Sequence, residues 1–500
     1  MSENTKYLNL IWSRVGVIMG KNKATRKRSK RKSLEDKLTY SSKLSWENVS
    51  KSKEKRIFDF CSGYMDFLNR GKTEREAVTV LKELLEAEDF LPIDQVKEAG
   101  PGTRFYIENR KKNLAVFILG KRPIREGLNI IASHADSPRL DLKQNPLQES
   151  GDAKVALLRT HYYGGVKKYQ WANIPLAIHG HVIKADGTEM DIVIGENDSD
   201  PVFTITDLLP HLAHKKQAPR KLGEGIKGEE LQVLVGSRPV SDKKAKKKIK
   251  LWVLDYLNKN YGMVEEDFIS SEFEVVPAFK ARDIGLDRSL IGAYGQEDRM
   301  CAYTSIKAIM DTKVPERSSL ILIMDKEEIG SDGPTGMKSR FIMNAIGDAL
   351  ALVEPDYRES DLRRGLQHSF ALSADVNAGV NPIFKDVHEL QNAARIGHSI
   401  IITKFTGSGG KYSSNDANAE FVAMIRNLFN KKRIPWQAAE MGKIDEGGGG
   451  TVAKFLAEHN MDVLDCGPGL ISMHSPFEIS AKTDVYHSYQ AYNAFLKMDN

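Results

Sequence analysis

A chain of 500 residues, 41% hydrophobic and 28% charged, is too long and too apolar for a disulfide-stapled miniprotein or a wholly disordered protein. It implies several domains, or one domain carrying a large insertion. The formal charge of +6 misleads, because residues 1–33 hold ten Lys/Arg and one Glu, a net +9, and the remaining body is mildly acidic.

Near the start, Leu8 to Met19 is apolar but broken by Arg14, and its positive cluster follows instead of preceding it, which fits neither a membrane span nor an ordinary secretory signal. Lys21 to Lys32 reads KNKATRKRSKRK, a charge run that suits nucleic acid or an anionic surface. Without aromatic interleaving or a folded nucleic-acid module beside it, residues 1–33 read instead as a solvated, disordered extension, and no nucleic-acid partner is expected. From Trp46 a helical period begins, with Ile57, Phe60, Cys61, Tyr64 and Phe67 at three- and four-residue spacing. A second amphipathic helix over Thr73 to Ala87 opens on Thr73-Glu-Arg-Glu, a capping-box pattern. Strand-like runs follow at 115–120 and 129–134, and the second ends in His134 and Asp136.

Residues 148–280 change character: VALLRTHYYGG, IPLAIHGHVI, MDIVIG and LQVLVG read as β segments between Gly, Asp and Lys-rich turns, so an inserted β-rich domain is expected. Its lysine run at 241–250 reads as a surface loop. Strand–helix alternation then resumes, with strands at 318–328, 369–375 and 400–405 and helices near 339–351 and 418–432, the pattern of an α/β domain split around the insert. TGSGGK fails the Walker A spacing and no GxGxxG opens a helix after a strand, so nucleotide binding is not expected. Cys61, Cys301 and Cys466 are odd in number, far apart and without metal-type spacing, which points to a reducing, cytoplasmic compartment.

Three expected strands end in acids or imidazole: His134 and Asp136, Glu327 and Glu328, and Asp375. Active sites in open α/β sheets gather at strand carboxyl ends. With Asp298 and His474 the set offers enough imidazole and carboxylate donors for two divalent ions, which need a shared carboxylate and a separate general base. One His or a Glu-Glu pair alone is ordinarily capped or solvated. Spacing therefore leaves open a metallohydrolase and a noncatalytic α/β protein.

HADSPRLDLK (134–143), LIGAYGQEDRMCAYTS (290–305), DKEEIGSDGPTGMKS (325–339), SADVNAGVNP (373–382), SNDANAEF (414–421) and SMHSPFEIS (472–480), in this order, resemble the aspartyl aminopeptidases and vacuolar aminopeptidase I, in a bacterial-type member. The resemblance runs from about Leu38 to the C-terminus. It implies an α/β metallopeptidase domain, a mixed sheet flanked by helices at 34–147 and 281–500, interrupted by a β-rich dimerisation domain at 148–280. It also implies two Zn2+ per subunit, replaceable by Co2+ or Mn2+, and homo-oligomers in which dimers build a dodecamer acting on peptides with a free N-terminus. By position, His134 and Asp375 resemble ligands of one zinc, Glu328 and His474 of the other, and Asp298 the bridge. Glu327 matches the general base, Asp136 the aspartate behind a histidine ligand, and Lys411 a substrate-binding lysine. Where acid-preferring members place two histidines this chain has Ala378 and Asn381, so broad or neutral preference is expected. GGVKKYQWANIPL shares the Gly-Gly at 164–165 and Trp171 with the family but lacks the Asp-Arg-Asp of its acid-preferring members. Gly447 to Gly450 reads either as N–H groups offered to substrate or as a flexible loop. The rival functions are another dinuclear amidohydrolase or deacylase and a noncatalytic assembly protein.

Overall fold

The helical stripe folds as its spacing requires, into a helix at Lys51–Arg70 that buries Ile57, Cys61, Tyr64, Phe67 and Leu68. The next helix, Glu74–Glu86, opens on a full capping box. Thr73 Oγ1 accepts the Glu76 N–H at 3.2 Å, and the Glu76 carboxylate accepts the Thr73 N–H at 3.0 Å. The computed structural model describes residues 33–499, so the expected basic extension lies outside the described residues but for Ser33. A short helix at Leu34–Leu38 belongs to an N-terminal unit ending at Ser41, and Ser42 onward forms the other unit.

In that larger unit the principal layer is a nine-stranded mixed sheet. Its order is Leu91–Pro92, Arg104–Asn109, Asn113–Ile118, Ser319–Met324, Asn129–His134, Phe370–Ser373, Asp462–Gly467, Ile400–Thr403 and Trp436–Ala438. The four strands from Ser319–Met324 to Asp462–Gly467 are mutually parallel. Apolar layers pack on both faces, so the central strands read as unbroken apolar runs such as LILIM. Met324 pairs with His134 and Ser373 with Ala132. The carboxyl ends of three central strands therefore open on one edge.

A second, antiparallel sheet of seven strands spans the stretch where an insert was expected, with Lys248–Tyr261 as its long helix. It begins in the Arg139–Ser150 strand, ahead of the boundary expected at 148, and ends in Ser271–Pro277. Its own core centres on Trp171, Leu140, Val275 and Phe273. The lysine run expected as a loop enters a helix at Lys248. A five-stranded sheet, Arg282–Ile284, Leu290–Ala293, Glu478–Ala481, Gly469–Ile471 and Asn377–Ala378, closes the site side. Among the described residues no helix is long and apolar enough to cross a membrane.

Candidate active site

His134 ends its strand, Glu327 and Glu328 occupy a short 3-10 turn after Ser319–Met324, and Asp375 follows Phe370–Ser373. Asp136 ties the first two segments together. Its Oδ1 accepts the Glu327 N–H and its Oδ2 the Glu328 N–H, each at 3.2 Å, and His134 Nδ1 lies 3.2 Å from Oδ1. Every neighbour of that Nδ1 is an acceptor, including the Asp136 carbonyl at 3.1 Å. The proton is fixed on Nδ1, and Nε2 is left as the donor atom of the ring.

His474 enters from the loop between Gly469–Ile471 and Glu478–Ala481. Its Nδ1 faces the Gly165 carbonyl at 3.2 Å, so again Nε2 is free to bind. That Nε2 lies 2.8 Å from Glu297 Oε2 and 3.4 Å from Glu328 Oε1, while His134 Nε2 is 3.7 Å from Glu297 Oε1. Two donor groups result, His134–Glu297–Asp375 and Glu297–Glu328–His474, each with its ligand atoms within 4.8 Å of one another.

Glu297 belongs to both groups, and Asp298, the expected bridge, to neither. The two acids diverge at the start of the Gln296–Met310 helix, where both have non-helical backbone. Asp298 turns beneath the His134 strand, its Oδ2 accepting the His134 N–H at 3.4 Å. Glu297 faces the donors. A second buried carboxylate holds this arrangement: Glu478 accepts the N–H groups of Gln296 at 2.7 Å and Glu297 at 3.1 Å on Oε2, and that of His474 at 2.8 Å on Oε1.

The donor set fits metal ions on its own chemistry. His134 Nε2, Glu297 Oε2 and Glu328 Oε1 are buried without a well-formed hydrogen bond, their nearest polar neighbours being one another and the His474 Nε2 atom, a cost that a cation removes. Ligands about 2 Å from a tetrahedral ion stand roughly 3.3 Å apart, close to the separations seen here. The electrostatics agree. Burial, with the Glu297 charge next, holds Glu328 well above the usual carboxylate range, and burial with Asp298 does the same to Asp375. Burial lifts Glu327 to about 7, a rise that His134 opposes and Glu297 and Asp136 reinforce. At Asp136 burial is outweighed by the His134 hydrogen bond and charge, and its carboxyl lies below the usual range. So many buried acids facing only two imidazoles call for more positive charge.

Comparisons with known proteins give the family. The family model "Aminopeptidase I zinc metalloprotease (M18)" matches residues 67–496. The chain belongs to this family. A probable M18 family aminopeptidase 1 from Thermotoga neapolitana is 48% identical over 457 residues, covering 91% of this chain and 99% of that one. The crystal structure of a Thermotoga maritima M18 aminopeptidase, at 46% identity, covers 92% of this chain and 100% of that chain with a TM-score of 0.88. The yeast mApe1 dodecamer, at 22% identity and TM-score 0.70 over 89% and 97% of the two chains, shares the fold. The expected α/β fold and zinc metallo-aminopeptidase stand.

Other expected M18 features sit differently. Lys411 bonds Asp416 at 3.1 Å and lies 3.9 Å from the Phe405 ring centroid, on a glycine-rich loop outside both donor groups. The glycine run is pinned, with the Gly407 N–H donating to the Gly449 carbonyl at 2.7 Å. A Cβ at Gly448 would fall 1.7 Å from the Gly407 carbonyl oxygen, so close backbone approach demands glycine there. Asn381 is occupied by its own turn, its Oδ1 accepting the N–H groups of Ile383 and Phe384. Glu297, Glu478 and Tyr163 were not singled out from sequence, whereas the Gly164-Gly165 pair was, as part of the family resemblance. Only Glu297, beside Asp298, and Glu478, inside SMHSPFEIS, carried a local signal.

Proposed function

We propose that this M18 aminopeptidase removes N-terminal residues with two divalent ions, one held by His134, Asp375 and Glu297 and the other by Glu297, Glu328 and His474. When bound, such ions polarise a carbonyl and lower the pKa of a water. Asp136 and Glu478 hold the ligand-bearing turns in register, and Glu327 removes the water's proton and returns it to the departing amine. The observation that carries this reading is the convergence of buried donor atoms on Glu297. The test is a panel of fluorogenic aminoacyl and acyl-amide substrates after chelation and again with zinc, cobalt or manganese. Restored aminoacyl release is expected with each metal. Turnover confined to blocked acyl amides would make the protein a deacylase, and none at all would leave an assembly protein.

The same panel addresses selectivity. Ala378 offers no polar group and Asn381, its Oδ1 held by its own turn, offers only a neutral amide where a histidine could carry charge, so an acidic side chain gains less there against its desolvation. Leu or Met in first position is expected to be cleaved at least as well as Asp or Glu. An Asp advantage above about tenfold, roughly 1.4 kcal/mol, that weakens with salt would place an unrecognised basic pocket in control.

We infer that the insert is the contact between copies. Supporting this are its exposed Val202, Leu209, Leu212 and Leu222 and an apolar groove of about 680 Å³ between its sheet and the Lys248–Tyr261 helix. Twelve subunits of 56.0 kDa give a particle of about 670 kDa, and light scattering is expected to find it. A stable, active monomer would overturn the assembly and leave the chemistry. Three free, buried cysteines fit a reducing cytoplasm.

A further inference from the structure

The insert also reaches into the donor site. Its Val155–Tyr163 strand ends there, and the next two residues continue along it. The Tyr163 hydroxyl donates to Asp136 Oδ2 at 2.8 Å, the shortest hydrogen bond that carboxylate receives. The Tyr163 ring is fixed by Arg139, paired with it across the sheet, whose guanidinium lies 3.9 Å from the ring centroid. Glu274 at 3.0 Å and Asp141 at 2.8 Å hold that guanidinium in turn. Gly164 has φ +69°, and a Cβ on it would lie 3.1 Å from Glu328 Oε2. A Cβ on Gly165 would lie 3.1 Å from His474 Nδ1, the atom its carbonyl faces. Three consecutive insert residues thus touch Asp136, Glu328 and His474.

We propose that Tyr163, Gly164 and Gly165 form a positioning element through which the insert sets the peptidase donor site, with Tyr163 acting through Asp136 on the Glu327–Glu328 turn. Asp136 divides its oxygens between two peptide N–H groups and His134, and those contacts are all long. The Tyr163 hydroxyl, on a ring clamped by an ion pair, fixes the plane of the carboxylate. The plane in turn aims both N–H groups, and with them the two glutamates. The glycines let this strand end approach without displacing Glu328 or the His474 ring. This inference rests on the metallo-aminopeptidase reading, and the wild-type substrate panel tests that reading separately.

The test uses the full chain. Tyr163→Phe keeps the ring over Arg139 and removes one oxygen. It is expected to lower kcat by about tenfold with KM changed less than about twofold, and to weaken zinc retention against a chelator by about 10–100-fold. The visible absorption of the cobalt-loaded protein is expected to shift, and Tyr162→Phe, whose ring is exposed, to match wild type in all three readouts. Combined with Asp136→Asn, Tyr163→Phe is expected to cost much less than it does alone, because its route of action is already cut. Wild-type kcat and chelator resistance in Tyr163→Phe, or full additivity with Asp136→Asn, would overturn the proposal. Should Tyr163→Phe not fold, Gly165→Ala decides: loss of mainly one ion supports the element, and wild-type metal retention with wild-type kcat overturns it. If wild type lacks aminopeptidase activity, the function reading fails, and chelator resistance and the cobalt spectrum still judge the positioning role.

Discussion

Glu327→Gln is expected to leave two ions bound and to cut turnover by a factor on the order of 10² or more. Glu327 is in neither donor group, yet its N–H shares the Asp136 carboxylate with that of Glu328. An amide of the same shape leaves the backbone clamp in place and removes the carboxylate's charge and with it proton acceptance. The pH profile follows the same logic. Only the carboxylate can act as base, so wild-type kcat/KM falls as pH drops through the Glu327 pKa. Burial, with the surrounding imidazoles and carboxylates, puts that pKa at about 7, and bound cations move it lower. The residual rate of the Gln variant should lose this acid limb. Metal analysis with a pH–rate series decides the point, and near-wild-type turnover would remove Glu327 from the mechanism.

Glu297→Ala is expected to lose both ions, with affinities falling by on the order of 10² or more, because one carboxylate serves both donor groups. His474→Ala should weaken mainly one ion, since His474 is in a single group. Asp298→Asn should keep both, because the Asp298 carboxylate meets the His134 backbone and not the donor cluster. Metal content after gel filtration, read beside thermal unfolding, separates ligand loss from misfolding. Two tightly held ions in Glu297→Ala would sink the shared-carboxylate assignment.

The central strands were legible because burial on both faces leaves an uninterrupted apolar run, as in LILIM ending before Asp325 and the two glutamates. Strand carboxyl ends on one edge then made His134, Glu327, Glu328 and Asp375 neighbours in advance. Two acids side by side were harder. Order along the chain cannot tell which of Glu297 and Asp298 faces the cluster when the backbone at both leaves the helical region. The start of the seven-stranded sheet at Arg139 was not legible because the Arg139–Ser150 strand alternates irregularly between buried and exposed positions and its register shifts between Leu142 and Leu147. Charge masked the helix at Lys248–Tyr261, whose first turn alternates lysine with Ile249 and Leu251 and which buries the Ile249 side chain alone. Tyr163 left no local signal at all, since its contact with Asp136 spans 27 positions of chain.

Leu140 pairs with Val275 and Asp141 with Glu274, so the first and last strands of the seven-stranded sheet, in chain order, lie side by side. A genome could delete everything between them and close the gap with a short turn, the geometry of a removable module. The peptidase sheet would lose none of its nine strands. It would lose the hydroxyl on Asp136 and the carbonyl on His474, which makes the accessory segment separable in topology and inseparable in chemistry.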